Sequence, residues 1–175
     1  MRIAPSGSPD EWFSWLTGSD RALRKRASLI IGGLEPTDDV ALEPFVARLR
    51  GPDDDVVFWA VVGLARLGPR VLAALSEICH VAVTHSAFGV RQEAVSALSR
   101  IGPEDPRAVA TLRIALRDAS PFVRRQALQA MIRVPQLEPT DIVLIASMAD
   151  DSDETVASWS EIALRNIKLR KVELS

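Results

Sequence analysis

The stretch Val90 to Gly102, reading VRQEAVSALSRIG, sets Val90, Ala94, Ala97, Leu98 and Ile101 at helical spacing on one face. The template recurs along the chain in a single register. Ala94 aligns with Ala27, Ala60, Ala127 and Ser160, at steps of 33, 34, 33 and 33 residues. Four residues earlier stand Leu23, Val56, Val90, Val123 and Val156. Four residues later come Ile31, Leu64, Leu98, Met131 and Leu164, and three beyond those Leu34, Leu67, Ile101, Val134 and Ile167. Such a period restricts the fold to an array of supersecondary units, none of which can bury its apolar face alone.

The punctuation keeps the same register. Asp20, Asp53, Ala87, Ser120 and Asp153 lie three residues ahead of each apolar starter, and four of these five are good helix N-cap types. Pro121 suits a first helical position, and so does Pro106 behind the cap Asp105. Gly68-Pro69 and Gly102-Pro103 share one repeat position, with Pro36 aligned to the prolines. Glycine then proline stops a helix and turns the chain.

Upstream of each second helix lies a first helix with its own stripe. Trp12, Phe45, Cys79, Leu112 and Ile145 form one column, and Leu16, Leu49, Val83, Leu116 and Ala149 another. The spacing predicts helical hairpins over 9–34, 38–67, 70–101, 105–134 and 140–169. The small residues Gly63, Ala97, Ala130 and Ala163 allow second helices to approach closely. The expected fold is all-α, a right-handed αα-superhelix of five hairpins, with 1–175 as one solenoid domain. Trp12, Phe13 and Trp15 would seal its first end. Ser158, Ser160, Glu161, Arg165, Lys168, Arg170 and Lys171 would give the last copy a solvated face.

The runs VRQEAVSALSRIG and VRRQALQAMIRVP resemble the second helix of HEAT repeats, in the short variety associated with phycobilin lyase subunits. The resemblance covers nearly the whole chain. It implies that second helices line a concave inner face, and that the fold serves binding. Tetratricopeptide and ankyrin units have similar lengths, but the chain has no Tyr and no Thr-Pro-Leu-His motif.

Composition narrows the function classes. A formal charge of −2, with 21 basic and 23 acidic residues, gives no global pull toward nucleic acid or anionic membrane. The single Cys79 excludes an internal disulfide framework and suits a reducing compartment. The N-terminus lacks the apolar core of a secretory signal. The run VVFWAVVGLA, residues 56–65, is about half the ~20 residues of a spanning helix. The expected setting is the cytoplasm, with no membrane. The sequence carries no nucleophile elbow, zinc-protease motif, phosphate-binding glycine loop or dinucleotide fingerprint, so no catalytic residue, metal or cofactor is expected. Cys79 reads as a buried thiol and His80 and His85 as surface histidines. The tracts Asp53-Asp54-Asp55 and Asp150-Asp151-Ser152-Asp153-Glu154 read as helix-start charge.

Two arginine columns stand out. Arg24, Arg91 and Arg124 follow the apolar starter, where HEAT relatives pack against turn carboxylates, and Asp118 lies six residues before Arg124. Arg66, Arg100 and Arg133 lie nine positions further on. Either column could pair within the stack or read an anionic surface. The second copy departs from the rest: opposite its core columns it carries Phe58, Val61, Val62 and Ala65, where the third carries Gln92, Val95, Ser96 and Ser99. A helix apolar all round is buried or is an interface. The candidate binding residues are Leu29, Phe58, Trp59, Val62, Arg66, Arg100 and Arg133, on the concave face. The alternative is that curvature closes this groove on itself.

The expected function is non-enzymatic binding of a protein or peptide, or of a second copy through the apolar patch. Two alternatives follow from the resemblance: a nucleic-acid-binding protein like the HEAT-like DNA glycosylases, or a bilin lyase accessory subunit. Trp59 and Trp159 could supply the glycosylase aromatics. The net charge argues against nucleic acid, and no acidic residue is assigned to the groove.

Overall fold

Five helix pairs follow one another in a computed structural model that describes residues 6–173. They are α1 (Pro9–Thr17) with α2 (Arg21–Gly32), α3 (Glu43–Arg48) with α4 (Asp54–Leu67), α5 (Leu75–Thr84) with α6 (Phe88–Ile101), α7 (Pro106–Ala115) with α8 (Pro121–Met131), and α9 (Pro139–Ser147) with α10 (Glu154–Glu173). Single 3-10 segments, Gly68–Ala74 and Met148–Asp150, precede α5 and follow α9. No strand occurs among the described residues. Lys171, expected on the solvated last face, lies outside the described side chains.

Local chemistry sets the helix starts. The Asp20 carboxylate accepts from the N–H groups of Ala22 and Leu23, Asp53 from Val56, Asp105 from Arg107, and Asp153 from Thr155 and Val156. Each bond satisfies a donor that the first helical turn leaves orphaned. Ser120 departs from expectation and makes no side-chain cap. Its own N–H is held instead by the Asp118 carboxylate at 2.8 Å. The two Gly-Pro turns need glycine for different reasons. Gly68 has φ 63°, a left-handed conformation. Gly102 is extended, but a Cβ there would stand 2.9 Å from a Leu72 methyl.

The second helices pack in sequence, α2 on α4, α4 on α6, α6 on α8 and α8 on α10, with α1 against α3 and α5 against α7 in the other layer. Ala27, Ala60, Ala94, Ala127 and Ser160 are all fully buried along the shared seam. The one polar member is satisfied, because the Ser160 hydroxyl donates to the Ile145 carbonyl at 2.6 Å. Val61, Val95 and Leu128, which the helix-face argument sets opposite the core, are buried as well. They form a second seam where neighbouring second helices meet, so each helix presents a narrower free face than its sequence suggests. Ala149 is exposed, against expectation. The chain tightens into a 3-10 turn there, and Met148 takes the buried place.

The ends are closed differently. Trp12 and Phe13 are buried and meet Phe45 edge to face, at centroid distances of 6.3 Å and 5.2 Å. Trp15 is half-buried beneath the Arg26 guanidinium. The last hairpin is less solvated than expected. Besides the buried Ser160, Arg170 reaches back to donate to the carbonyls of Ile132 and Val134, just past the end of α8. The stretch Asp54–Thr84 is long and apolar enough to cross a membrane by composition. It folds as α4, a 3-10 segment and α5, broken at Gly68-Pro69, with more than half of its most apolar window buried. Packing therefore accounts for its hydrophobicity.

Gly63 marks the tightest approach. A Cβ there would fall 2.2 Å from a ring carbon of Phe45 and 3.2 Å from an Ile31 methyl. Where the aligned first-helix residue is Leu112, the aligned second-helix residue is Ala130. Gly63→Ala should therefore cost about 1–3 kcal/mol by overpacking. In a Phe45→Leu background the same substitution should cost far less. Urea unfolding of the four-member double-mutant cycle measures the difference, and equal costs in both backgrounds would refute the contact.

Candidate binding face

Three partly or fully exposed columns of the second helices make up the candidate face, with Phe58 of a fourth column at its edge. The first runs Arg26, Trp59, Glu93, Gln126, Trp159; the second Leu29, Val62, Ser96, Gln129, Ile162; the third Gly33, Arg66, Arg100, Arg133, Asn166. The face they make is apolar around α4, polar across α6 and α8, and apolar again at Trp159 and Ile162 of α10.

Two depressions adjoin on this face. The larger, ≈ 520 Å³, is lined by Phe58, Trp59, Val62 and Ala65 of α4, by Arg66, by Glu93 and Arg100 of α6, and by the turn after α2. Phe58, Trp59 and Val62 are half-buried. Phe58 and Trp59 meet edge to face at 5.5 Å, and Trp59 stands over Gly32, where a Cβ would be 3.6 Å from its ring. The groove is therefore neither closed on itself nor fully bare. The smaller depression, ≈ 220 Å³, lies between α6 and α8 and is lined by Ser96, Ser99, Arg100, Gln126, Gln129 and Arg133. Arg100 belongs to both. Six of the seven residues singled out from sequence line these two hollows. Leu29 does not: it is 51% exposed on α2, one repeat beyond Val62.

The two arginine columns have different fates. Arg91 donates to both carboxylate oxygens of Asp118 at 2.8 Å, and Arg124 to both of Asp151 at 2.7 and 2.6 Å. Each also donates to carbonyls of its own turn, His85 and Ser86 for Arg91, Asp118 and Ala119 for Arg124. The carboxylate thus comes from the following repeat. The residue six positions earlier supplies only its carbonyl, a correction to the expected pairing of Arg124 with the Asp118 side chain. Arg24 finds Gly51 where a carboxylate would stand and bonds the Gly18 carbonyl alone. Arg66, Arg100 and Arg133 are exposed, and no ion pair or hydrogen bond of their side chains occurs among the described residues.

Glu93 is an acidic residue of the groove that the sequence reading did not assign to it. It sits half-buried in the larger depression. Burial pushes its carboxyl above the ordinary value, against the opposing pull of Arg100 and Arg66. The signal was in the register, since Glu93 occupies the Trp59 column. His85 also departs from expectation: its side chain is only 14% exposed. It stands where Asp118 and Asp151 stand in later repeats, its Nδ1 accepts from the Ala87 N–H at 3.2 Å, and its Nε2 faces Asp54 at 3.7 Å. Cys79 is half-buried, and burial raises its thiol pKa. A further bidentate pair, Arg113 with the buried Asp141, ties α7 to α9 at 2.6 and 3.0 Å. No repeat column announces it.

The model of a family described as HEAT repeats matches residues 42–132 and again 79–165. The chain belongs to the HEAT-repeat family. Its HEAT array superposes on a chain of "the complex of CpcE and CpcF of phycocyanin lyase from Nostoc sp. PCC7120", with 20% identity and a TM-score of 0.72 over 89% of this chain and 96% of that one. It is also similar to a designed armadillo repeat protein in complex with the peptide (KR)4, at 17% identity and a TM-score of 0.62, covering 89% and 80%. An engineered protein gives 21%, 0.63, 90% and 80%. At these identities the likeness concerns the HEAT and armadillo fold. No curated protein matches the sequence.

The HEAT ladder has an acid signature. The Arg124 bond holds the Asp151 carboxyl below its ordinary value. Burial works against ionised Asp118, yet the bonds from Arg91 and the Ser120 N–H keep its pKa low as well. A depressed carboxylate adds stability that is complete above the unfolded value of about 3.9 and is lost as pH falls through the folded value. Asp151→Asn should cost roughly 3 kcal/mol at pH 7 and flatten the stability loss below about pH 4. Denaturant melts at stepped pH measure this, and an unchanged acid slope would refute it. Glu93→Gln should act oppositely, stabilising at pH 7 by an amount that vanishes as pH falls below the unfolded glutamate value.

Proposed function

We propose that this HEAT array is a non-catalytic binding module that holds a protein or peptide on its concave second-helix face, in the cytoplasm. One observation carries the reading. Among arginines repeated in register, the column inside the stack is consumed by bidentate pairs. The column on the open face, Arg66, Arg100 and Arg133, makes none and borders a half-buried aromatic depression. Aromatic and arginine side chains around a concave apolar site are the usual anchors of protein recognition.

A second reading draws on shape. The likeness to a chain of the CpcE–CpcF complex runs over almost all of both chains. It supports a subunit that works in complex with a second, different chain. A second copy of this protein would be a simpler occupant of the same face. Duplex nucleic acid is disfavoured by the −2 net charge and by Glu93 in the groove.

Affinity capture from the native lysate, run in parallel on variants, tests the proposal. Trp59→Ala and Val62→Glu should lose the captured partner while keeping the helical circular-dichroism signal. Ile114→Ala, which alters a residue 55% exposed on α7, should keep it. Equal capture by all three would refute the concave-face assignment. Sedimentation at stepped concentrations identifies self-association.

A further inference from the structure

Resting on the concave-face reading, we infer that the bound segment is extended and acidic. It carries a carboxylate or phosphate four or five residues from a large apolar side chain. The depression between α6 and α8 is the reason. Its lining holds two guanidinium groups, two amides and two hydroxyls, and no carboxylate. A guanidinium only donates hydrogen bonds, and amide and hydroxyl groups can donate as well. Two like charges on adjacent helices repel unless an anion sits between them. No carboxylate of the chain lines this hollow: Arg91 and Arg124 on the same two helices take the turn carboxylates, Glu93 acts on Arg100 from the neighbouring depression without an ion pair, and neither Arg100 nor Arg133 makes a side-chain hydrogen bond or ion pair among the described residues. At ≈ 220 Å³ the hollow has room for roughly seven waters, enough for one oxyanion and its residual hydration.

The spacing follows from the array. Packed helices stand ~8–10 Å apart, and an extended chain advances about 3.3 Å per residue. A segment crossing the second helices with its anion between α6 and α8 stands about one and a half spacings, ~12–15 Å, from α4, and so brings a side chain four or five residues away over Phe58, Trp59 and Val62. Glu93 lies on the path between them. It penalises a second anion at that point, so one acidic residue beyond the apolar anchor fits better than a continuous acidic run. A basic segment would meet Arg66, Arg100 and Arg133 in turn, a like-charge clash that suppresses binding.

Selection from a random dodecapeptide library displayed on phage, against the immobilised full chain, reads this directly. The expected result is enrichment of Asp or Glu four or five positions from Trp, Phe or Leu. The Arg100→Glu/Arg133→Glu variant, altered only at exposed residues, should keep its circular dichroism and reverse the enrichment to Lys or Arg. Synthetic peptides carrying Glu or phosphoserine at the enriched position, titrated by fluorescence anisotropy, show which oxyanion is preferred. Either should weaken about tenfold or more on charge reversal. Enrichment of basic or uncharged peptides would overturn the inference, and so would enrichment that the variant leaves unchanged. If such peptides still lose binding with Val62→Glu, the concave-face reading survives alone. No enrichment, or retention of duplex DNA in place of peptides, would end both.

Discussion

Close approach of the second helices is the constraint on which the structure depends. Five small side chains, Ala27, Ala60, Ala94, Ala127 and Ser160, stand at zero exposure along one seam, each in the same place on its helix. Because each repeat touches only its neighbours, stability is nearly a sum of such interfaces. Every interface has to pack without a void, since interiors have crystalline density. A second line of Val61, Val95 and Leu128 closes the same interfaces from the other side. The chain spends two helical stripes on stacking, so only a narrow strip of each second helix is free to meet a partner.

The two halves of the array solve the stacking problem differently. Between the third, fourth and fifth repeats, Arg91–Asp118 and Arg124–Asp151 cross from one repeat to the next with both ends largely buried. Bidentate, charge-assisted bonds of this kind fix geometry as well as adding energy. In the second repeat Val57 takes the arginine position, fully buried, and its partner position holds His85 in place of aspartate. There the joint is apolar, and further toward the N-terminus it becomes aromatic, with Trp12 and Phe13 on Phe45. Arginine and aspartate are present together at these two joints and absent together at the one before them, as expected if leaving one of them buried alone costs more than replacing both; at the first joint the partly exposed Arg24 faces Gly51 and is met by the Gly18 carbonyl instead. The apolar depression lies at the joint where the ladder stops, and α4 is apolar all round because one side of it replaces an ion pair and another side lines the groove.

How much of this was legible depends on distance along the chain. The hairpins, the alanine seam and the caps Asp20, Asp53, Asp105 and Asp153 are set by neighbours a few residues away, and periodicity finds them. Six of the seven residues chosen for the open face also line its hollows, because repeat register carries a position from one helix to the next. What escaped needed contacts between elements. Val61 and Val95 appear free on a single helical wheel, and only the adjacent helix buries them. Glu93 is one member of the column of Arg26, Trp59, Gln126 and Trp159, and it shares its depression with side chains of α4. Arg113 and Asp141 share no column, so their pairing was invisible until α7 and α9 were placed side by side.

The arginine columns show why residue type alone does not separate structure from function in a repeat array. Arg91 and Arg100 lie on the same helix, nine residues apart, and both recur one repeat later as Arg124 and Arg133. The first of each pair points at a turn where the following repeat offers a carboxylate. The second stands at the far end of the helix and makes no ion pair there among the described residues. A charge that the fold neutralises bidentately is a joint, and removing it loosens the array. A charge that the fold carries at the rim of a hollow, with amides beside it and an apolar floor one repeat away, adds little to stability. Stacking therefore does not account for its repetition at Arg66, Arg100 and Arg133, and the proposed anionic partner would.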